Sequence, residues 1–237
     1  VFVRSAPALR GAEVSTLVRN AAAAAPGCLA LCPGAPISVR DRGRVVTLGR
    51  GGEQGICLLG TDTAVVLLVL GSLVLDAREQ GYATTLLDGR GGSPLTDLPV
   101  DTVVTGADVR PAATRLLDPS SSDPTLVLLS GLDGLDLETA DLQTFRTGAD
   151  DIRQLVARGP ARGLWTVSWW ESRPAAERVL GYQLEGVRAW AFCGAAKDDI
   201  TQLCGPLFAP PEGSPRLLWH DRLERRPETL IPFGGAA

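Results

Sequence analysis

The stretch Glu53–Leu75, EQGICLLGTDTAVVLLVLGSLVL, decides the fold. The short apolar run Ile56–Leu59 reaches a glycine at Gly60, and Thr61-Asp62-Thr63 then opens a longer apolar segment. A brief apolar run bounded by glycine reads as a buried strand. A Thr/Asp cluster ahead of a long apolar stretch reads as a helix start. Strand, glycine and helix in that order is the layout of a phosphate-binding loop. A working loop reads G-x-x-x-x-G-K-[ST]: glycines let backbone N–H groups wrap the phosphates, Lys meets their charge, and the hydroxyl holds magnesium.

Counted from Gly60, the second glycine position holds Val65, the lysine position Val66 and the hydroxyl position Leu67. The layout is kept and its chemistry is gone. Gly60, Thr61, Asp62 and Thr63 therefore read as a vestigial phosphate loop. Asp62 would set a carboxylate against the charge of a triphosphate, a repulsion of about a few kcal/mol at a local dielectric well below that of water. The structural role open to Thr61, Asp62 and Thr63 is helix N-capping, in which a side-chain oxygen accepts from orphan N–H groups.

Outward from this stretch, strands and helices alternate. The helix from about Thr61 runs to Gln80, and Ala83 to Leu87 is a strand ending at Asp88. The Gly-rich loop GRGGSP follows, then a third strand in PVDTVVTG and a helix over 108–117. Thr125–Leu129 is an unbroken apolar strand of the buried parallel type. A polar, helix-prone stretch from Leu137 to Gly159 leads to the strand Leu164–Trp169. A helix over 175–180, strand 187–192, helix 197–204 and strand 216–219 close the series before a tail. Such alternation predicts an α/β fold, a mainly parallel sheet flanked by helices. Ahead of it, residues 1–50 read as a lead-in: a helix stopped by Pro26-Gly27 and a hairpin over Ile37–Leu48 turning on Asp41-Arg42-Gly43. Residues 51–237 form the main domain.

Composition narrows the function classes. The chain has 237 residues, is 45% hydrophobic and 21% charged, and carries a net charge of −4. That acidic balance argues against a stand-alone nucleic-acid binder, although 23 Lys+Arg leave room for a basic patch. The five cysteines (Cys28, Cys32, Cys57, Cys193, Cys204) are odd in number and lie partly in apolar runs, which predicts reduced thiols in a cytoplasmic compartment. Cys193, Cys204 and the only histidine, His220, match no familiar zinc spacing. The apolar run Ala64–Leu75 is too short to span a bilayer, so no direct membrane insertion is expected. Methionine is absent and the chain opens on Val1, so a segment of something longer is expected.

From Asp150 onward the ordered pieces resemble the FtsK/SpoIIIE family of P-loop motors, which have a RecA-like P-loop NTPase fold. DIRQLVARGPARGLWTVSWWESRP is similar to that family's helix–loop–strand before its nucleotide-sensing turn, here ending at Ser172-Arg173-Pro174. EGVRAWAFCGAAKDDITQLCG is similar to the next strand and helix. TTLLDGRGG, with Asp88 at its end, is similar to the strand after the phosphate loop, and SPRLLWHD resembles the closing strand. The resemblance covers roughly residues 53–235.

The departures from the family pattern fall at the chemical positions. The apolar run Leu126–Leu129 should be followed by Asp-Glu, to hold magnesium and polarise water, and is followed by Ser130-Gly131. Asp133 and Asp136 lie further on. The sensor position carries Glu171-Ser172 where the family has Thr-Gln. The resemblance thus implies a catalytically inactive module of a larger translocase for DNA or secreted protein. Such a module would act as a structural, regulatory or substrate-recognition element, similar to the tandem ATPase-like modules of EccC-type secretion motors. Its partners would be other ATPase modules of the same chain or ring. The expected cofactor is none, with ATP and magnesium the disfavoured alternative. The rival reading is an active ATP-dependent DNA translocase with a non-standard site using Asp88, Asp133 or Glu171.

Four further residues stand as candidates. Arg158 and Arg162, in ARGPARG, are trans-acting candidates, since an arginine of one ring subunit can reach its neighbour's phosphates. Solvated loop arginines are the alternative. Trp165, Trp169 and Trp170 share one strand, with Trp190 on the next. Alternation puts Trp165 and Trp169 on one face and Trp170 on the other. Core filling accounts for at least two of the four, and Trp169 and Trp170 are the partner-surface candidates. Arg222, Arg225 and Arg226 form a small basic run near the end.

Overall fold

A computed structural model describes residues 27–37, 43–51, 53–118, 123–140, 145–182, 184, 186–213, 215–224 and 226–233. The expected helix before Pro26, the turn residues Asp41 and Arg42, and Arg225 lie outside the described residues. The elements in chain order are β1 (Leu29–Pro36), β2 (Arg44–Leu48), β3 (Gly55–Leu59), α1 (Thr63–Glu79), β4 (Ala83–Asp88) and β5 (Thr102–Thr105). Then come α2 (Val109–Leu116), β6 (Thr125–Ser130), α3 (Gly148–Arg158), β7 (Leu164–Trp170) and α4 (Arg173–Leu180). β8 (Val187–Phe192), α5 (Lys197–Cys204), β9 (Leu217–Asp221) and β10 (Glu228–Ile231) complete the series.

All ten strands form one sheet in the order β2-β1-β10-β9-β8-β3-β7-β6-β4-β5. From β8 to β5 every pairing is parallel, and from β8 to β2 every pairing is antiparallel. The expected α/β, mainly parallel architecture is therefore present. Period-two alternation sends Cys57, Leu59, Val127, Leu129 and Trp170 to one face, beneath α2, α3, α4 and α5. Ile56, Leu58, Leu126, Leu128, Trp165 and Val167 go to the other, beneath α1. Buried on both faces, β3 and β6 read as continuous apolar runs for that reason.

Three departures from the expected layout have local causes. The first arm of the hairpin is Leu29–Pro36, not a segment starting at Ile37; Leu29 pairs with Leu48 and Leu31 with Val46. The closing tail carries an additional strand, β10, which pairs with β9 and, through Ala35 and Pro36, with β1. Within the stretch from Leu137, α3 begins at Gly148, where Thr147 and Asp150 form a reciprocal capping box.

The hairpin assigned to the lead-in is bonded into the rest. The Trp165 indole donates to Gly49 O at 3.3 Å, and the Tyr82 ring meets Trp165 edge-on with centroids 5.1 Å apart. Tyr82 also donates to Cys28 O at 3.0 Å. Along α1 the polar positions Ser72, Asp76 and Gln80 fall four residues apart and form one stripe. That stripe bonds the β1 backbone. Ser72 Oγ donates to Cys32 O at 3.1 Å, and Gln80 both accepts from Ala30 N at 2.9 Å and donates to Ala30 O at 2.6 Å. The helix so covers an edge of β1 that no described strand pairs there. Among the described residues no helix is long and apolar enough to cross a membrane.

Candidate functional site

The site is built where β3 ends between β7 and β8. In an open parallel sheet a ligand binds beyond the carboxyl ends of the strands, so this is where a phosphate loop belongs. The arc between β3 and α1 holds only Gly60, Thr61 and Asp62, because the helix already begins at Thr63. Val65 and Val66 consequently sit in its first turn with their side chains fully buried in the apolar core.

The amides that would cradle phosphate are spent within the chain. Gly60 N donates to Trp170 O at 3.0 Å, Asp62 N to Cys193 O at 3.0 Å, and Thr61 N to Gly194 O at 3.5 Å. Thr63 N donates back to Thr61 O at 2.9 Å, and Val66 N to Asp62 O at 3.0 Å. Asp62 is the N-cap residue, its carboxylate accepting from Val65 N at 3.1 Å. The turn after β8 thus lies directly against the loop.

Two glycines make that contact possible. Gly60 has φ +122, and a Cβ there would sit 2.3 Å from Cys193 O and 2.5 Å from Ala195 N. Gly194 has φ +69, and its Cβ would meet that of Asp62 at 2.9 Å. Only a residue without a side chain fits either place. Burial pushes the Cys193 thiol pKa up, and the Asp62 carboxylate beside it adds to the rise. The sequence signal for this joint was the small-residue run Cys193-Gly194-Ala195-Ala196 closing an apolar strand, which the phosphate-loop reading left unused.

Beside the loop, a cleft of about 180 Å³ opens beyond β4, β6 and β7. The three carboxylates of the rival reading gather here, since Asp88, Asp133 and Glu171 all line it. Asp88 is fully buried and accepts from Arg90 N and Ser93 N, each at 3.3 Å. Arg90 straddles the cleft, donating to Glu171 at 2.5 Å and to Asp133 at 3.3 Å. The hydrogen bond to Glu171, with the charge of Asp133 beyond it, raises the pKa of that guanidinium. Ser130, at the position where the second nucleotide motif carries acid, is buried, and its carbonyl accepts from Gly89 N at 2.8 Å.

The remaining candidates divide. Trp169 is half-buried and its indole donates to Gly60 O at 2.9 Å, so it braces the loop. Trp170 is 2% exposed within the apolar core, which corrects its reading as a partner surface. The cause is strand alternation: it faces inward beneath the helices, on the side opposite Trp165. Arg158 and Arg162 lie before the start of β7, at the edge of the sheet opposite the loop. Arg158 is exposed, and Arg162 donates to Leu117 O at the C-terminus of α2, a favourable place for a cation. Arg173, of the sensor turn, pairs with Glu177 at 2.6 Å, while Ser172 caps α4. All five cysteines are free, and no cluster of three metal-ligating side chains occurs among the described residues.

The sequence matches no protein-family model and no curated protein. Solved structures do match. The conjugation coupling protein TcpA of pCW3, with ATPγS, aligns with TM-score 0.59 at 15% identity over 88% of this chain and 66% of its own. ATPases 2 and 3 of Thermomonospora curvata EccC, in complex with a signal sequence peptide, align with TM-score 0.54 at 16% identity, over 88% of this chain and 44% of that one. The DNA-packaging ATPase B204 of Sulfolobus Turreted Icosahedral Virus aligns with TM-score 0.56 at 8% identity, over 77% of this chain and 99% of that one. The fold is that of the FtsK/SpoIIIE-type P-loop ATPases. This chain spans just under two thirds of the coupling protein and less than half of the EccC structure. Within the P-loop fold, magnesium nucleotide needs a lysine, a hydroxyl and open amides at the loop. The residues present here do not fit that group: Val66 stands at the lysine position and Leu67 at the hydroxyl position, and the amides of Gly60 and Asp62 are bonded in cis.

Proposed function

We propose that this chain is a P-loop module of a translocase-type machine that neither binds nor hydrolyses nucleotide. It works by contact with other ATPase modules of the same chain or ring, as a structural, regulatory or substrate-recognition element, on the cytoplasmic side of the machine. The observation that carries this reading is the bond from Asp62 N to Cys193 O. It places a turn of the protein itself where a phosphate group would have to approach. Opening the joint would unpair both glycine turns, and each buried amide left without an acceptor costs about 1–3 kcal/mol. The cargo of the whole machine, DNA or secreted protein, comes from the neighbours' chemistry; the net charge of −4 favours protein over direct DNA contact.

Calorimetric titration of the folded chain with ATP and magnesium tests the reading. No saturable heat is expected, and micromolar affinity overturns it. The rival, an active translocase module, needs a carboxylate free to orient water, whereas Asp88 is fully buried and accepts from two backbone amides, and Asp133 and Glu171 are both held by Arg90. Measurable ATP turnover by the isolated chain would restore that rival.

A further inference from the structure

A second cavity, of about 340 Å³, lies on the helical face of the sheet and shares no lining residue with the cleft beside the loop. Its place follows from the layer architecture. Leu218 and His220 of β9 point to the same face, and Leu218 is packed into the core there. Beyond α5 no described helix continues over β9 on that face, so the sheet emerges where His220 stands. Trp190 of β8 is the cross-strand partner of His220 and walls the cavity beside Leu203 of α5. The volume reaches the roughly 300 Å³ at which pockets for small molecules begin, whereas the cleft beside the loop does not.

The polar side chains among the described lining residues are Arg173, Tyr182, Gln202, His220 and Arg222, and none of these is a carboxylate. Arg173 meets Glu177 through Nη1, and Arg222 meets Glu53 at 2.7 Å through Nη1 as well. Neither Nη2 has a partner among the described residues. Nδ1 of His220 is buried and has no hydrogen-bond partner among the described residues. Burial lowers the imidazole pKa, Asp221 opposes that and Arg222 adds to it.

We propose that this cavity binds a small organic anion, a carboxylate or phosphomonoester carried on an apolar body. The guanidinium groups of Arg173 and Arg222 would take the charge, since forked donors suit both anions. Trp190 and Leu203 would receive the apolar part. The proposal does not depend on the state of the phosphate loop.

His220 is the only histidine, so its imidazole resonances report on this cavity without ambiguity. The full chain is titrated with phenyl phosphate, benzoate and, as a neutral control, benzyl alcohol at constant pH and ionic strength. A saturable shift with at least one anion and none with the alcohol is expected; whichever anion saturates names the class. The double substitution Arg173→Gln with Arg222→Gln should weaken binding at least tenfold. If losing the partner of Glu177 unfolds the double variant, Arg222→Gln alone, at an exposed position, should still weaken it several-fold. A shift that never saturates, that benzyl alcohol reproduces, or that survives these substitutions unchanged overturns the proposal.

Discussion

The main-chain amide of Cys32 donates to the Asp76 carboxylate at 2.7 Å, joining β1 to a helix residue 44 positions later. Asp76 is 1% exposed, and burial raises its pKa to about 8, against a lowering by the Cys32 amide. A group whose folded value lies above its unfolded 3.8 contributes stability that is complete below about pH 4 and lost as pH rises through about 8. Unfolding free energy should therefore fall across that window. Asp76→Asn keeps an acceptor for Cys32 and cannot ionise, so it should be more stable than the parent at pH 9, by about 1–3 kcal/mol, and flatten the dependence. Urea unfolding at pH 5 and pH 9 measures both. Equal stability of parent and variant at pH 9 would rule this account out.

Asp62 makes a cap, and caps have a known worth. Asp62→Ala should lose about 1 kcal/mol, whereas Asp62→Ser should lose little because its hydroxyl can accept from Val65 N. Neither change should create nucleotide binding, since the Asp62 amide still donates to Cys193 O. Thermal melts paired with an ATP titration check the two halves separately.

Two glycines give an internal contrast. Gly60→Ala places a methyl 2.3 Å from a carbonyl oxygen at a positive φ, and should cost about 3 kcal/mol or prevent folding. Gly51→Ala meets nothing within 4 Å and should stay within about 0.5 kcal/mol of the parent. Denaturant midpoints for the pair decide it; similar losses at both positions would dismiss the glycine joint.

Thiol labelling tests the burial pattern. Cys32, Cys57 and Cys193 are buried, and burial raises all three thiol pKa values, that of Cys32 to about 12. Without denaturant at neutral pH only Cys28 and Cys204 should react with a disulfide reagent. Cys204 should be the slower, because burial pushes its pKa up to about 11. Prompt labelling of a third thiol would contradict the packing described.

The parallel core was legible in the chain because its strands are buried on both faces and so appear as unbroken apolar runs between turn residues. Val187–Phe192 and Lys197–Cys204 fall where periodicity puts them. The edge of the sheet was less legible. β1 contains Pro33 and Gly34, weak strand formers, and is held in part by helix side chains whose contribution no local pattern records. β10 is four residues long and owes its state to the strands on either side. Trp170 could be assigned to a face by alternation, yet whether that face was covered depended on helices elsewhere.

The amino-acid order alone determined that a strand, a glycine turn and a helix occur without the lysine and hydroxyl that grip phosphate, because those groups are present or absent residue by residue. Only the three-dimensional arrangement decided what became of the vacated donors. Gly60 and Gly194 are far apart in the chain, and their approach rests on β3 and β8 lying side by side. Hydrogen-bond satisfaction is a property of neighbours in space, and the turn that closes this loop arrives from the other end of the domain.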